Sequence, residues 1–516
     1  MMSTVVAVLS VALLLRSSLA LAPGAVQQVV NLPQCATVST ASLSLNAANH
    51  TLLANSSTVH WGYFYSALEP AAVVNSGDEI FVEMVTHHAG DDPAKMIIGD
   101  PGMEDIYRWN KDGDIGVPQR GANGNGDGVH VLTGPIYVCG AEAGDVLQVD
   151  ILDLAPRVNP ATGKSYGSNA AANWGYQFKA GFLDGIRREV ITIYEIIRDA
   201  AGGLLWALPD YQFRYGKYPE AMAQYTGPTT NCTLDAGMLE GAAKGENILW
   251  TNLNRTYSGA NVPCINGTQQ WSFYAYPGLL TQHPTGDEDT SIRGKFKVPI
   301  NLHIGNIGVA SAYNKTIDSV PPSIHGGNVD DRRTGIGATL YYPVQVAGAM
   351  LSMGDAHTSQ GDSELDGTGI ETSINGRFKL TLHKKAALPK LVQNLTFPLL
   401  ENANEYVVHG FTFADYLKEL DDPTTVYAKS SLDKAMTVTY NQTRDFVMHA
   451  FDLTEDQAIT AITVGMDFGI TQVVDGNYGI HCVIPKWMFA NSTTPYMPVT
   501  MAGTSKPADC KLLTTL

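Results

Sequence analysis

Residues 325–371 read HGGNVDDRRTGIGATLYYPVQVAGAMLSMGDAHTSQGDSELDGTGIE. The apolar run at 339–351 is rich in β-branched and aromatic side chains, which predicts a strand. Carboxylates are rarely buried beside a strand unless they are paired, hydrogen-bonded or bound to a metal, because burial of a charge costs free energy. We therefore interpret the stretch as a polar site formed by His325, Asp330, Asp355, His357, Gln360, Asp362, Glu364 and Glu371. The alternative is a solvated loop with an incidental surface Asp–His pair.

The spacing of these side chains favours a site. Residues i and i+2 of a strand project from the same face, so Asp355 and His357 can converge on one point, and Asp362 and Glu364 repeat that spacing. Nearby glycines allow tight turns at the end of the strand. Mixed imidazole and carboxylate ligands suit a hard or borderline divalent cation.

Strand patterns dominate the rest of the chain. Segments such as GDEIFVEMVTH, DVLQVDILDL and GRFKLTLHKK alternate apolar and polar residues between Gly, Pro, Asn and Asp. They predict a mainly β fold, a sandwich or barrel, with a few helices and α+β elements near the C-terminus. Helices are predicted at 185–197, at 411–420 and after Thr454, where Gln457 completes a capping box.

The composition indicates a large folded protein. The chain has 516 residues, 44% hydrophobic and 16% charged, with a formal net charge of −17. No Lys or Arg cluster offsets that charge. Binding to nucleic acid or to an anionic membrane is therefore not expected, because both require basic patches that neutralise phosphate.

The N-terminus, MMSTVVAVLSVALLLRSSLALAPG, has the pattern of a secretory signal peptide. The apolar run at 4–15 is too short to span a bilayer, and small residues at Ser18 and Ala20 suit cleavage. We expect residues 1–20 to be removed and the protein to be secreted, without a membrane anchor. Nine sequons support this route and predict a surface glycoprotein: Asn49, Asn55, Asn231, Asn254, Asn266, Asn314, Asn394, Asn441 and Asn491.

Several ordered motifs resemble the acetamidase/formamidase family, amidohydrolases that split short linear amides into a carboxylate and ammonia. In the segment quoted first, the motifs are GGNVD, the strand ending in MGDAH, QGDSE and GTGIE. The others are VHVLTGPIYVCGAEAGDVLQVDILDLAPR at 129–157, NLHIGNIGVA at 301–310 and DLTEDQAITAITVGMDFGITQVVDGNYGIHCVIPK at 452–486. The resemblance implies a mainly β architecture, a small amide substrate and a homo-oligomer.

The resemblance also suggests how the chain is divided. An N-terminal extension at 21–74 precedes a β-rich part at 75–300, with an insertion at about 200–290. A second β-rich part at 301–489 carries the metal and catalytic motifs, and a tail follows at 490–516. His87 and His88 depart from the family pattern.

The six cysteines form an even set, and such a set favours disulfides in an oxidising compartment. Cys232 with Cys264 is the most plausible pair because these two bracket part of the insertion. Cys35 with Cys510 is a weaker one.

Hydrolysis of an amide requires a polarised carbonyl, an activated water and a protonated leaving nitrogen. We expect a divalent metal, zinc by preference, bound by Asp355 and His357 with His325 or Asp330. Proton transfer falls to Glu142 or Glu364, and His130 either binds the metal or orients the substrate. Substrate contacts are predicted for Gly327, Asn328 and Gln360.

Two other functions stay open at this stage. The chain can be a non-catalytic secreted glycoprotein that uses the same β scaffold to bind a ligand. It can also hydrolyse a carbamate or a lactam with the same machinery. A serine hydrolase is disfavoured, since the chain has no Gly-x-Ser-x-Gly motif.

Overall fold

The computed structural model describes residues 50–107, 128–171, 175–180, 182, 190–199, 203–214 and 288–489. The strands in its N-terminal part are β1 His50–Leu52, β2 Val59–Trp61, β3 Tyr63–Phe64, β4 Ala72–Val74, β5 Glu79–Met84, β6 Val131–Val138, β7 Val146–Pro156, β8 Ser165–Ala171, β9 Val190–Arg198 and β10 Leu204–Arg214. Those in its C-terminal part are β11 Val298–Pro299, β12 His303–Gly308, β13 Ile317–Asp318, β14 Gly326–Asn328, β15 Thr339–Pro343, β16 Leu351–His357, β17 Ile374–His383, β18 Leu399–Glu401, β19 Glu405–Phe411, β20 Asp467–Gln472 and β21 Gly479–Pro485.

The α-helices of the described residues are short, apart from two near the C-terminus. They are α1 Pro93–Met96, α2 Pro101–Tyr107, α3 Tyr176–Lys179, α4 Tyr416–Glu419, α5 Val426–Lys429, α6 Leu432–Phe451 and α7 Glu455–Gly465. Single 3₁₀ turns lie at His87–Asp91, Thr290–Ile292, Lys385–Ala387, Lys390–Val392, Pro423–Thr425 and Lys486–Phe489.

Two large sheets form a β-sandwich. One follows the order β1-β5-β17-β7-β15-β18-β19-β21-β20, and the other follows β14-β12-β16-β6-β2 with β4 also paired to β6. Their facing side chains form the main core, for example Val82 of β5, Phe378 of β17 and Met353 of β16. In β5 the burial alternates along the strand, as expected when one face of a sheet is covered. The predicted mainly β class is confirmed.

A smaller sheet, β11-β10-β9-β8, lies beside a second core. Ile191 and Phe213 of this sheet pack with Trp61 of β2 and with Ile106 and Tyr107 of α2. The tyrosine hydroxyl donates to the carbonyl of Thr86 over 2.6 Å. This core thus supports the 3₁₀ turn that begins at His87.

The predicted helix at 185–197 is wrong over its described part. Residues 190–198 form β9, which pairs with both β8 and β10. The run VITIYEII fits a helical period as well as a strand, but its β-branched residues favour strands, and two neighbouring strands satisfy its backbone. At 411–420 only α4 is helical, because Phe411 ends β19. The helix start at Thr454 is confirmed, including the capping box with Gln457.

Helix α6 is the longest helix of the described part, and local propensity does not reveal it. Its centre, TVTY at 437–440, is composed of residues that prefer strands. The buried side chains Ala435, Thr439, Thr443 and Val447 recur every four residues and cover β19 and β21. Thr439 hydrogen-bonds the carbonyl of Ile480 over 3.2 Å, where Gly410 leaves room for the helix. Tertiary packing therefore stabilises α6.

The described residues include two of the six cysteines. Cys482 is free and fully buried, and Cys139 is disulfide-bonded. A complete pairing of six is thus ruled out. Cys232 and Cys264 lie outside the described residues, as do residues 1–20 and the sequons at Asn49, Asn231, Asn254, Asn266 and Asn491.

The other sequons lie at the surface. Asn314, Asn394 and Asn441 are exposed, and Asn55 is partly exposed. Within the described ranges, no helix has the length and the apolar character needed to cross a bilayer.

Candidate active site

The site lies where the last residues of β16 meet β12, the start of β6 and the 3₁₀ turn at His87. Asp355 and His357 close β16, and His303 on β12 is the cross-strand partner of His357. His130 immediately precedes β6. All these residues are at most 5% exposed, so their charges interact with little screening by water.

One half of the cluster consists of two histidines and an aspartate: His87, His130 and Asp355. His130 Nε2 lies 3.4 Å from Asp355 Oδ2, and His87 Nδ1 lies 3.7 Å from Asp355 Oδ1. Burial lowers the pKa of both histidines, which keeps them neutral. Burial alone would raise the pKa of Asp355, but the surrounding histidines outweigh it and the pKa lies well below its usual range.

Three histidines are anchored through Nδ1. His88 Nδ1 lies 2.8 Å from Asp91, His130 Nδ1 lies 2.9 Å from Ser319 Oγ, and His357 Nδ1 lies 3.1 Å from His303 Nε2. Because each contact occupies Nδ1, Nε2 is the ring nitrogen that is left to bind a metal. Metal-binding histidines are typically held in this way, because the outer contact fixes both tautomer and ring orientation.

The contact between His303 and His357 links the protonation of the two rings, and we call this linked assignment the tautomer chain. The closest partner of His303 is the Asn301 carbonyl, 2.7 Å from Nδ1, while Gln360 Oε1 lies 3.2 Å from Nε2. A carbonyl only accepts, so we assign the ring proton to Nδ1. Burial lowers the pKa of His303 to about 4, so the ring is neutral and its Nε2 accepts from His357 Nδ1. His357 Nε2 then faces Asp355 at 3.7 Å and Glu371 at 3.0 Å.

The other half consists of three acidic residues, Asp330, Glu364 and Asp475, which together we call the carboxylate group. Burial is the main cause that raises the pKa of each, and their mutual repulsion adds to it, with Asp330 raised to about 8. Asp330 and Asp475 share a hydrogen bond. Burial also raises the pKa of Glu371, although His357 opposes the shift. Without a cation, this side of the cluster retains protons near neutral pH.

The backbone is strained at this cluster. Asp330, Asp355 and Glu364 adopt positive φ angles of 51°, 52° and 48°. This left-handed region is unfavourable for residues with a Cβ and is concentrated at functional sites, where the surrounding structure enforces it. Asp330 shares one candidate ligand group with Asp355 and another with Glu364, so the strained residues lie side by side in the cluster.

The cluster has the properties of a divalent metal site. Its donors are imidazole nitrogens and carboxylate oxygens, and several are buried without a hydrogen-bond partner among the described residues: His87 Nδ1, His88 Nε2, Asp330 Oδ1, Glu364 Oε2, Glu371 Oε2 and Asp475 Oδ2. Buried polar atoms are normally paired, so this concentration indicates a missing partner. Asp330, Asp355 and His357 also offer ligand atoms within 4.8 Å of one another. Imidazole with carboxylate suits zinc.

The structure brings together five of the seven residues proposed from the sequence as metal ligands or proton carriers. His130, Asp330, Asp355, His357 and Glu364 lie in the cluster. Gln360 lies behind it, where its Nε2 donates 3.0 Å to the carbonyl of Asp330.

His325 does not reach the cluster, so its expected role as a ligand needs correction. Its ring packs edge-on against Phe64, with ring centroids 5.0 Å apart. Burial alone lowers the pKa of His325 to about 4. Gly327 and Asn328 follow on β14, where Asn328 Oδ1 is buried without a partner among the described residues.

Glu142 also lies elsewhere. Its side chain is 64% exposed and pairs with Lys384 over 3.4 Å in the turn between β6 and β7. This turn is on the surface, so the expected proton transfer by Glu142 is not supported. Asp362 lies near the cluster but forms ion pairs with Arg332 and Arg333 instead.

Sequence reasoning missed His87, His88, His303 and Asp475 as members of the site. The adjacent histidines in THHAGDD were visible as a departure from the family pattern, and that departure was the available signal. His303 and Asp475 stand in NLHIGN and VVDGN, both inside motifs that carry the resemblance. Their participation depends on which strands are neighbours.

Known proteins are similar to this chain in sequence and in fold. A sequence profile of the Acetamidase/Formamidase family matches residues 123–203 and 295–490. An acetamidase of Mycolicibacterium smegmatis is 31% identical over 245 residues, 46% of this chain and 50% of that protein. The chain thus spans about half the length of this relative.

Two further similarities cover more of the chain. A formamidase of Methylophilus methylotrophus is 36% identical over 361 residues, 65% of this chain and 68% of that protein. The structure of an acetamidase from Yersinia enterocolitica superposes with a TM-score of 0.52 at 18% identity, and the match covers 86% of this chain and 93% of that one. With the profile match and the Methylophilus relative together, the chain belongs to the acetamidase/formamidase family.

Proposed function

We propose that this protein hydrolyses the C–N bond of a short linear amide, such as formamide or acetamide, to a carboxylate and ammonia. The observation that carries the proposal is the convergence of anchored histidines on Asp355 in a buried cluster. Family membership and the similarity to an acetamidase and a formamidase support the reaction class. Deep burial of the cluster favours a small substrate.

The residues suited to hold a divalent metal are His87, His130, Asp355 and His357, and Asp330 offers a further ligand atom beside the last two. Zinc fits this set best, since neutral imidazoles and a carboxylate are its usual ligands in catalytic sites. When bound there, the metal supplies Lewis acidity toward the amide carbonyl and lowers the pKa of water.

Proton transfer falls to the carboxylates beside His357. Glu371 and Glu364 both have raised pKa values, caused first by burial. A carboxyl group with such a pKa can accept a proton from the attacking water and donate one to the leaving nitrogen near neutral pH. Glu371 Oε1 lies 3.0 Å from His357 Nε2, so this proton carrier borders the metal ligands.

Secretion and glycosylation form a second part of the proposal. The N-terminal signal pattern and the nine sequons support export, and the exposure of Asn314, Asn394 and Asn441 is compatible with glycans there. A homo-oligomer, expected from the resemblance, stays a prediction. Mass analysis of protein from a secreting host tests cleavage after residue 20 and occupancy of each sequon.

The hydrolytic activity is tested by ammonia release from formamide, acetamide, propionamide and a primary carbamate, and by formation of the ring-opened amino acid from a lactam. Purified protein is assayed as isolated, after treatment with a chelator, and after zinc is restored. We expect release from at least one short amide, loss with the chelator and recovery with zinc. His357→Ala should abolish turnover, whereas the surface variant Glu142→Gln should not. Absence of ammonia from every amide after zinc is restored would favour the non-catalytic binding protein.

A further inference from the structure

Arg333 bridges Asp331 and Asp362, which are close in sequence to members of the carboxylate group, and we call these three residues the clamp. Arg333 Nη1 lies 3.0 Å from Asp331 Oδ1 and 3.1 Å from Asp362 Oδ1, while Nη2 lies 3.2 Å from Asp362 Oδ2. Asp331 is fully buried and also accepts from His409 Nε2 on β19 over 2.8 Å. The planar guanidinium thus bridges two carboxylates in a fixed, two-pronged geometry that an ammonium group cannot reproduce.

The clamp joins the loops that carry the site. Asp331 directly follows Asp330, and Asp362 stands two residues before Glu364. The next residue, Ser363, extends the connection to the third carboxylate, because its backbone N–H donates to Thr471 and its carbonyl accepts from Val473. Those residues lead directly into the turn that holds Asp475.

These loops need such a connection. Asp330, Glu364 and Asp475 place carboxylate oxygens within 4.8 Å of one another, so groups of like charge are held close together. In addition, Asp330, Ser363 and Glu364 have positive φ angles of 51°, 88° and 48°. Strained backbone and like charges persist only when the surrounding structure holds them in place.

We propose that Arg333 is a positioning residue that fixes Asp330 and Glu364 beside His357, so that the cluster is pre-organised for a divalent cation. This inference rests on the proposed metal-dependent function. Arg333 acts through its backbone neighbours and not by contact with the substrate. Its side chain is 19% exposed, so the ion pairs are partly shielded from water and stronger than surface pairs.

Arg332 is a matched control. It is the adjacent arginine and also contacts Asp362, through Nε at 3.2 Å, but its side chain is 45% exposed. The test compares Arg333→Gln, Arg333→Lys, Asp362→Asn, Arg332→Gln and the double variant of Arg333→Gln with Asp362→Asn. Zinc affinity is measured by chelator competition, and the visible spectrum is recorded after cobalt substitution. Thermal unfolding of the metal-free proteins serves as a check on folding.

We expect Arg333→Gln and Asp362→Asn each to weaken zinc binding by about tenfold, the lower end of the range for direct outer contacts to metal ligands, because the clamp acts through the backbone. Both should alter the cobalt spectrum, and the double variant should be no worse than Arg333→Gln, because both changes break one connection. Arg333→Lys should fall between Arg333→Gln and the wild type. Arg332→Gln should bind zinc like the wild type. If Arg333→Gln does not fold, Asp362→Asn carries the test.

Unchanged zinc affinity and spectrum in the folded Arg333 and Asp362 variants would overturn the inference but leave the proposed function intact. An equal loss in Arg332→Gln would also overturn it, since the effect would then follow from surface charge alone. Should the wild-type protein bind neither zinc nor cobalt, the metal-dependent function and the clamp would both fail.

Discussion

Nε2 of His303 lies 3.1 Å from Nδ1 of His357, and the two residues are cross-strand partners on β12 and β16. The contact orients the His357 ring and directs its Nε2 toward Asp355 and Glu371. His303 thereby determines which nitrogen of His357 is available to a metal.

The first prediction follows from this contact. Replacement of His303 by Phe removes the acceptor, so we expect zinc affinity to fall by about 10–100-fold, measured by chelator competition. His383→Gln is the control, because that half-buried histidine belongs to another sheet, where it is hydrogen-bonded to Gln148. Equal affinity of the His303→Phe variant and the wild type would contradict the tautomer chain.

Gly305 tests whether the centre of the cluster must stay open. A Cβ at this position would lie 2.7 Å from His357 Cε1 and 2.8 Å from Asp355 Oδ2, and closer still to Asp330 Oδ1. We expect Gly305→Ala to lower both zinc content and amide turnover at least tenfold, because the ligands must move apart. Gly361→Ala is the matched control, since nothing lies within 4 Å of its added Cβ. Elemental analysis and ammonia release measure the two effects, and normal zinc content in Gly305→Ala would refute the geometry.

Two glutamates separate the sequence-based assignment from the structure-based one. Glu371→Gln removes a buried proton carrier next to His357, so we expect kcat/KM for the best amide to fall by about 10²–10⁴-fold. Glu142→Gln changes an exposed ion pair, and kcat/KM should stay within about twofold of the wild type, since such pairs contribute little. A large loss in Glu142→Gln would restore the role first proposed for it.

The carboxylate group makes the stability of the metal-free protein depend on pH. The pKa of Asp330 is raised to about 8 from an ordinary value of 3.8, so its protonated form stabilises the fold at low pH and this stabilisation is lost as pH rises toward 8. Glu364, Glu371 and Asp475 have raised pKa values and act in the same direction.

We therefore expect the melting temperature of the metal-free protein to fall between about pH 7 and pH 8. In this range the histidines with lowered pKa values are neutral in both folded and unfolded states and contribute little. Asp330→Asn should reduce the slope, and zinc should do the same because bound metal replaces the protons. A melting temperature that rises with pH over this range in the metal-free protein would show that the carboxylates are not protonated.

The packing of α6 gives a prediction outside the site. A Cβ on Gly410 would lie 2.6 Å from both Cα and N of Thr439, so Gly410→Ala must push the helix away from β19. We expect a loss of about 1–3 kcal/mol in the free energy of unfolding, measured by denaturant titration. Gly361→Ala serves again as the control, and equal stability of the two variants would mean that α6 does not pack closely on the sheet.

Features that depend on neighbouring residues could be predicted from the sequence. The alternation in β5, the capping box at Thr454 and the i, i+2 spacing of Asp355 and His357 are properties of short segments. Strand geometry alone places the last two side chains on one face. The motifs also sufficed to recognise the family, because each occupies a continuous stretch of the chain.

The composition of the site depended on contacts between distant segments. His325 and His303 both stand in glycine-containing motifs near β-strands, yet only His303 lies opposite His357, while His325 packs on Phe64. His87 reaches Asp355 because the second core supports its 3₁₀ turn. Local sequence does not specify strand partners, so it could not separate these histidines.

The sequence by itself thus determined the mainly β class, the family and the central pair Asp355 and His357, since local periodicity and continuous motifs encode them. Only the tertiary structure decided that His87, His303 and Asp475 join this pair and that His325 and Glu142 do not. The physical reason is that a buried cluster is assembled by sheet register and loop connections, which bring together residues hundreds of positions apart in the chain.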